Sequence, residues 1–396
     1  METFVFLILV ISAAALAVPV AIFAIEVIAA VAFAPRTETT AVGTFSGHAA
    51  VLVPAHNEST ALVPTLADIK QQLCPGDRLL VVADNCTDDT AAVALAAGAE
   101  VIERHDPARR GKGYALDYGL QHLSLAPPEI VIMVDADCRL AVNTIDELTK
   151  ACAVTRRPVQ ALYLMTAPTE AQVNQKVAEF AWRVKNWLRP LGLKVFRLPC
   201  QLMGSGMAFP WGLIRGGDLA NSWIVEDLKL GLDLTSNGHP PLFCPSALVT
   251  SSFASSVGAA DTQRRRWEFG HISTIFSSLP RLFYAVSHQN WNLLALTLDL
   301  AVPPLSLLAI LAIGMFVIAS LFALLGFSSS AMAVSTATVL AFLVAVGLAW
   351  LECGRDVVPI GAILSIPRYV LGKRGVYRRL LSRKTDMPWI RTDRTR

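Results

Sequence analysis

Phe4 to Ala34 is an almost uninterrupted run of apolar side chains, which leaves its backbone few options. It exceeds the roughly 20 residues a helix needs to cross a bilayer core, and in lipid every N–H and C=O must be satisfied within the segment. Two further apolar stretches, Leu293 to Phe327 and Ala331 to Leu351, lie near the other end. The chain is 54% hydrophobic and 16% charged, with a mean hydropathy of +0.49, too apolar for a soluble enzyme. The excess is concentrated in those three stretches. No Lys or Arg precedes the first, and it is too long for the apolar part of a cleaved secretory leader, so a retained anchor is expected. Glu26 then marks where this span meets the cytoplasmic interface. The second stretch contains Asp299, Pro303 and Pro304, so its opening part is expected to be interfacial.

Basic residues set the orientation. From Arg355 to Arg396 there are eleven Lys or Arg against three Asp, a net +8, whereas the whole chain carries only +3. Positive segments stay inside, so this tail is expected in the cytoplasm. With three spans, the amino terminus is then outside and the middle region inside. The expectation is a multi-pass protein of the inner or plasma membrane with a cytoplasmic domain. Ile366 to Leu381 mixes aromatic, leucine and basic residues as interfacial helices do, which points to a lipid surface and not to nucleic acid. The domain limits are 1–35 for the anchor, 36–280 for the cytoplasmic domain, 281–354 for the interfacial segment with two spans, and 355–396 for the basic tail. The seven cysteines form no C-x-x-C pair, so they read as free thiols, with Cys86 and Cys138 as small buried hydrophobes.

In the middle region, apolar strands end in polar residues again and again. Ala49 to Val53 runs into Pro54-Ala55-His56-Asn57-Glu58, followed by a helix over Glu58 to Gln72. Arg78 to Ala83 runs into Asp84-Asn85-Cys86-Thr87-Asp88-Asp89-Thr90, a helix start, and Gly98 closes that helix. Glu100 to Glu103 leads to Arg109-Arg110-Gly111-Lys112-Gly113, and Val131 to Val134 runs into Asp135-Ala136-Asp137. Strand alternating with helix implies a parallel α/β sheet, whose carboxyl edge is where such sheets bind ligands. Glu58, Asp84, Lys112 and Asp135 are thereby expected around one crevice. Two hard carboxylates at i and i+2 suit Mg²⁺ or Mn²⁺ held against a diphosphate.

Each residue also has an ordinary explanation. Glu58 suits the first turn of a helix, Asp84 a loop, and Lys112 a turn between glycines. His56 reads as a packing or hydrogen-bonding residue. Glu170 to Leu188 is amphipathic, with Val177, Phe180, Ala181, Val184 and Leu188 on one face and Trp182, Arg183, Lys185, Trp187 and Arg189 flanking it; it suits contact with headgroups or an acceptor lipid, and core packing, equally. Gly204-Ser205-Gly206 offers backbone that a substrate can approach closely. Glu226 and Asp227 open a helix, where acids are stable for ordinary reasons, and where one can also serve as a base. Gln263-Arg264-Arg265-Arg266-Trp267 fits a membrane-surface patch or a device for neutralising a leaving diphosphate.

Taken in order, these stretches resemble the membrane-bound family-2 glycosyltransferases, the group that includes cellulose, chitin and hyaluronan synthases. Val53 to Glu58 and Asp84 to Thr90 look like the two nucleotide motifs, and Asp135-Ala136-Asp137 is similar to the metal-binding D-x-D. Val225-Glu226-Asp227 stands where the family has T-E-D, with valine for threonine, and Gln263 to Trp267 fits Q-x-x-R-W. The resemblance covers roughly Ala49 to Trp267 together with the membrane layout. It implies a GT-A (Rossmann-like) domain with a mostly parallel sheet, transmembrane helices at both ends, and an inverting transfer from a UDP-sugar. Glu58 and Asp84 would hold the uridine. Lys112, with the cation on Asp135 and Asp137, would hold the diphosphate. Asp227 would be the base, and Glu226, Gln263, Arg266 and Trp267 would meet acceptor or diphosphate.

Three spans are few for a polymer channel, so a single addition to a lipid-linked or other membrane-proximal saccharide acceptor, in exopolysaccharide or glycolipid assembly, is expected over a processive synthase. A nucleotidyltransferase would want a glycine-rich loop after its first strand, which Pro54-Ala55-His56-Asn57 is not. A non-catalytic nucleotide-sugar binder would have little use for Asp135, Asp137 and Asp227 together.

Overall fold

A computed structural model describes residues 2–35, 44–168, 171–217, 219–220, 226–254, 257–327 and 329–363. The elements begin with α1 (Glu2–Phe33), β1 (Ala49–Ala55), a 3-10 turn (Ser59–Leu62), α2 (Val63–Lys70), β2 (Arg78–Asp84), α3 (Thr90–Ala96), β3 (Glu100–Arg104) and α4 (Lys112–Leu123). They continue with β4 (Ile130–Met133), β5 (Arg139–Leu140), α5 (Thr144–Thr155), β6 (Val159–Thr166), α6 (Val173–Arg183), a π-helical turn (Val184–Leu188) and α7 (Arg189–Val195). The last are β7 (Met207–Pro210), α8 (Trp211–Ile214), α9 (Glu226–Ser236), β8 (Leu242–Ser252), α10 (Val257–Ser287), α11 (Trp291–Leu300), α12 (Leu305–Leu324), α13 (Ser330–Cys353) and the short α14 (Ile360–Ile363).

The described strands make one sheet in the order β3-β2-β1-β4-β7-β6-β8-β5. The first four are parallel, as crossover helices require, while β7 runs antiparallel to both β4 and β6. Alternation along β1 sends Val51 and Val53 to one face and Ala50 and Leu52 to the other. On the first face they meet Leu66 and Ile69 of α2 and Leu148 of α5; on the second, Leu116 and Leu120 of α4 and Leu230 of α9. Burial on both faces is why these strands read as unbroken apolar runs.

One sequence expectation is displaced. The helix expected from Glu58 begins at Val63, with Pro64 in its first turn. Asn57 and Ser59 adopt φ of 54° and 45°, so the chain turns sharply at Glu58 before any helix can start. The stretch Leu293 to Phe327 is not one helix: α11 ends at Leu300, and α12 begins after Pro303 and Pro304. Among the described residues, three helices are long and apolar enough to cross a membrane, Thr3–Phe33, Leu305–Leu324 and Ser330–Cys353. The tail segment Ile366 to Leu381 lies outside the described residues.

The amphipathic stretch resolves in favour of packing. Val177 and Phe180 of α6, with Val184 and Leu188 of the π turn, are buried among Phe23 and Val27 of α1 and Phe342 and Ala349 of α13. The following helix α7 approaches α1 so closely that a Cβ at Gly192 would fall 1.9 Å from the Glu26 carbonyl oxygen. Glu26 is only 3% exposed, buried against the domain. Its carboxylate accepts a 2.6 Å bond from Arg189, which also donates to Asp299.

Candidate active site

The loops after β1 and β2 are stitched to each other. Asn57 accepts from the Thr87 amide at 2.7 Å, and the amides of Glu58 and Ser59 donate to Thr90 Oγ1 at 2.8 and 2.9 Å. Asp88 in turn accepts from that hydroxyl at 2.6 Å. His56 Nδ1 lies 2.6 Å from the Asp84 carbonyl oxygen, the hydrogen-bonding place expected for it. Half-buried Glu58 and buried Asp84 are thus brought to one edge by residues about thirty apart in sequence. The Asp84 carboxylate is held by Arg104 at 2.6 Å and Asn85 at 3.0 Å. Arg104, the last residue of β3, was missed by sequence reasoning; its only signal was a cation closing a strand on the same edge.

Lys112 opens α4, and its ammonium reaches two further loops. It pairs with Asp135 Oδ1 at 2.5 Å and donates to the Gly204 carbonyl at 2.6 Å. Gly204 has φ +90°, and a Cβ there would lie 3.6 Å from Lys112 Nζ and 3.4 Å from Asp227 Oδ2. Ammonium and carboxylate therefore converge on one glycine. That glycine is held in place by Gln160, fully buried on β6, which accepts from the Met203 amide at 2.8 Å and donates to the Ser205 carbonyl at 2.9 Å. Gln160 gave no signal in the sequence beyond a polar residue inside a strand.

Charge is concentrated here and poorly hydrated. Burial works against the Lys112 ammonium, but Asp135, Glu226 and Asp227 outweigh it and hold its pKa above the ordinary lysine value. Burial pushes Glu226 up to about 7 against the pull of Lys112, with Asp227 adding to the rise. Asp227 is raised as well, by burial, with Lys112 and Lys185 opposing. Arg266 on α10 is disfavoured by burial and steadied by Glu226. Gln263 is buried, and its Oε1 meets no hydrogen-bond partner among the described residues. Trp267 is spent on packing: its ring lies 5.0 Å from Trp182, which is edge-on to Tyr163 and Phe253.

Ligand atoms of Asp135, Asp137 and Cys138 lie within 4.8 Å of one another. Cys138 is fully buried, 3.1 Å from Ser205 Oγ, and burial pushes its thiol up to about 12. A soft thiol is a poor ligand for a hard cation. The two carboxylates remain, Asp137 being oriented by a 2.7 Å bond from Ser251 Oγ. A pair of hard carboxylate oxygens fits Mg²⁺ or Mn²⁺ and does not fit zinc.

Comparison with known proteins follows this geometry. The family described as glycosyltransferase like family 2 matches residues 47–270. An uncharacterized glycosyltransferase of Mycobacterium tuberculosis (strain ATCC 25618 / H37Rv) is 36% identical over 142 residues, 34% of this chain and 58% of that one. The chain thus spans little more than half the length of that relative. The 4,4'-diaponeurosporenoate glycosyltransferases of two Staphylococcus aureus strains are 25% and 34% identical over 271 residues, 59% of this chain and 69% of theirs. Among solved structures, a mannosyltransferase from Pyrobaculum calidifontis in complex with GDP-Man and Mn²⁺ is 19% identical. It aligns over 85% of this chain and 99% of its own, with a TM-score of 0.46.

Proposed function

The chain belongs to glycosyltransferase family 2, and from that premise we propose that it moves a sugar, with inversion, from a nucleoside-diphosphate sugar to an acceptor hydroxyl at the membrane. The donor we assign is UDP-linked, and the acceptor a lipid-linked or membrane-proximal one of exopolysaccharide or glycolipid assembly. The observation that carries the reading is the convergence of Lys112 and Asp227 on Gly204, with Asp135 paired to the same ammonium. A cation and a carboxylate facing each other across a few ångströms is the arrangement a displacement at an anomeric carbon needs.

In the transfer, Asp227 accepts the proton of the acceptor hydroxyl as its oxygen attacks the anomeric carbon. The bond from that carbon to the diphosphate breaks, and its electron pair leaves with the nucleoside diphosphate. Lys112 and Arg266 face the negative charge that grows there. Glu58 and Asp84 hold the nucleoside, the latter presented by Arg104. A divalent cation on Asp135 and Asp137, when bound, supplies further neutralisation of the diphosphate. Glu226 and Gln263 border the acceptor side. Trp267, packed against Trp182, shapes that wall. Three spans and the basic tail support a cytoplasmic site on a multi-pass protein.

The test is release of nucleoside diphosphate by the detergent-solubilised full chain against a panel of UDP- and GDP-sugars, with Mn²⁺ or Mg²⁺ and a membrane-lipid extract. Asp227→Asn should lower turnover about 10²- to 10⁴-fold, as loss of a general base does, and keep donor binding. Full activity in that variant would refute the base assignment.

A further inference from the structure

Between α6 and α7 the helix makes its single described π turn, Val184–Leu188, and Lys185 lies in it. Such turns recur at functional sites because the inserted residue re-aims the side chains around it. The basic residues on either side of Lys185 are neutralised. Arg183 bonds Glu179 and Asp356, each at 2.8 Å, and Arg189 is clamped between Glu26 and Asp299. Lys185 is half-buried, yet among the described residues no carboxylate, hydroxyl or carbonyl bonds it. Its recorded neighbour is the Trp182 ring, 6.0 Å from Nζ. The carboxylate that acts on it most strongly is Asp227, the proposed base.

The position of this turn matters as much as its charge. Val184 and Leu188, on its apolar side, pack among α1 and α13, two of the helices long enough to span a membrane. Lys185 therefore joins two regions: its turn packs on the membrane helices, and the Trp182 ring 6.0 Å from its ammonium lies 5.0 Å from Trp267, the wall of the acceptor side. An ammonium left unneutralised in a poorly hydrated place is costly, and the cost is recovered if an anion arrives with a ligand. Lysine is suited to that task as a compact point charge for phosphate.

We infer that Lys185 receives a phosphate group carried by the acceptor, beside the hydroxyl that Asp227 deprotonates. This rests on the transferase reading above and adds to it the acceptor's class: an anionic compound, held on the membrane side of the base. Packing of the same turn against the membrane helices favours a lipid as the carrier; a soluble phosphate compound would make the same pairing.

The experiment is equilibrium binding of fluorescent dioleoyl phosphatidic acid to the detergent-solubilised full chain with UDP or GDP and Mn²⁺ present, with dioleoylglycerol as the uncharged control. The expected result is saturable binding of the phosphatidic acid, at least tenfold tighter than the diacylglycerol. Lys185→Met should weaken it at least tenfold, and Lys185→Arg less than threefold. The nucleotide Kd should be the same in all three proteins, which shows that the donor site is intact. Equal phosphatidic acid affinity in wild type and Lys185→Met, or equal affinity for charged and uncharged lipid, overturns the assignment. Displacement of the lipid by inorganic phosphate in the wild type but not in Lys185→Met keeps the subsite and assigns it to a soluble phosphate. A wild-type chain that binds neither UDP nor GDP refutes the donor reading, whatever Lys185 does.

Discussion

Arg189 on α7 donates a 2.6 Å hydrogen bond to Glu26, a carboxylate on the first membrane helix, 163 residues away in sequence. Both side chains are buried, and Asp299 of α11 with Gln201 completes the cluster. The pairing fixes the catalytic domain to α1 at the point where Gly192 lets the two helices touch. Removing only the arginine leaves two carboxylates facing each other without a cation. Arg189→Met should therefore lower stability by about 3 to 5 kcal/mol, the usual cost of breaking a buried ion pair on one side. Adding Glu26→Gln should restore part of it. Thermal unfolding in detergent measures both, and a single variant as stable as wild type would show that the cluster contributes nothing.

The pair also shows what a single sequence can disclose. The apolar strand running into Asp135 and Asp137 was legible, because double-sided burial leaves an unbroken run and the polar residues beyond it have to leave the core. The amphipathic face of α6 was legible for the same reason, though not what it packs against. Long-range partners were not. Glu26 read as a boundary residue because nothing near it in sequence announces Arg189. Arg104 and Gln160 went unnoticed for a like reason: their roles are set by partners 20 and 43 residues distant. Periodicity reports the face on which a side chain lies and is silent on what the fold brings to that face.

The acidic pair Glu226 and Asp227 sets the pH dependence. Burial raises both, Glu226 to about 7, so on falling pH protons are taken up well above the ordinary carboxylate range. A base must be unprotonated to act. Hence kcat/KM should fall as pH drops through about 7 and approach a plateau above it, the pair titrating as a unit. Glu226→Gln removes the neighbouring negative charge and should move that acid limb to lower pH. A limb that stays in place would show that Glu226 is not felt by the group that titrates.

Asp137 can be separated from the nucleotide site. Its carboxylate is turned toward Asp135 and fixed by Ser251. Lys112 pairs with Asp135, and Asp137 completes the acid pair beside it. Asp137→Ala should raise the Mn²⁺ concentration for half-maximal turnover at least tenfold, and leave UDP affinity in metal-free buffer unchanged. Titration of activity with Mn²⁺, alongside calorimetry of UDP, reads both. Wild-type metal dependence in the variant would remove Asp137 from the cation site.

Gly204 tests whether the convergence of Lys112 and Asp227 depends on backbone conformation. At φ +90° an L side chain is strained, while the two nearest atoms a Cβ would meet, at 3.4 and 3.6 Å, are at ordinary contact distance. The penalty of Gly204→Ala is therefore conformational and not a collision, about 1 to 2 kcal/mol. The chain can absorb it by staying folded with less stability or by rotating the loop. Rotation would carry the Gly204 carbonyl away from Lys112 and undo the 2.6 Å bond that positions the ammonium. Turnover should then fall further than stability does, and donor KM should rise with it. Matched measurements of thermal midpoint and kcat/KM decide between the two, and an alanine variant that loses stability but keeps full activity would show that the loop does not rotate.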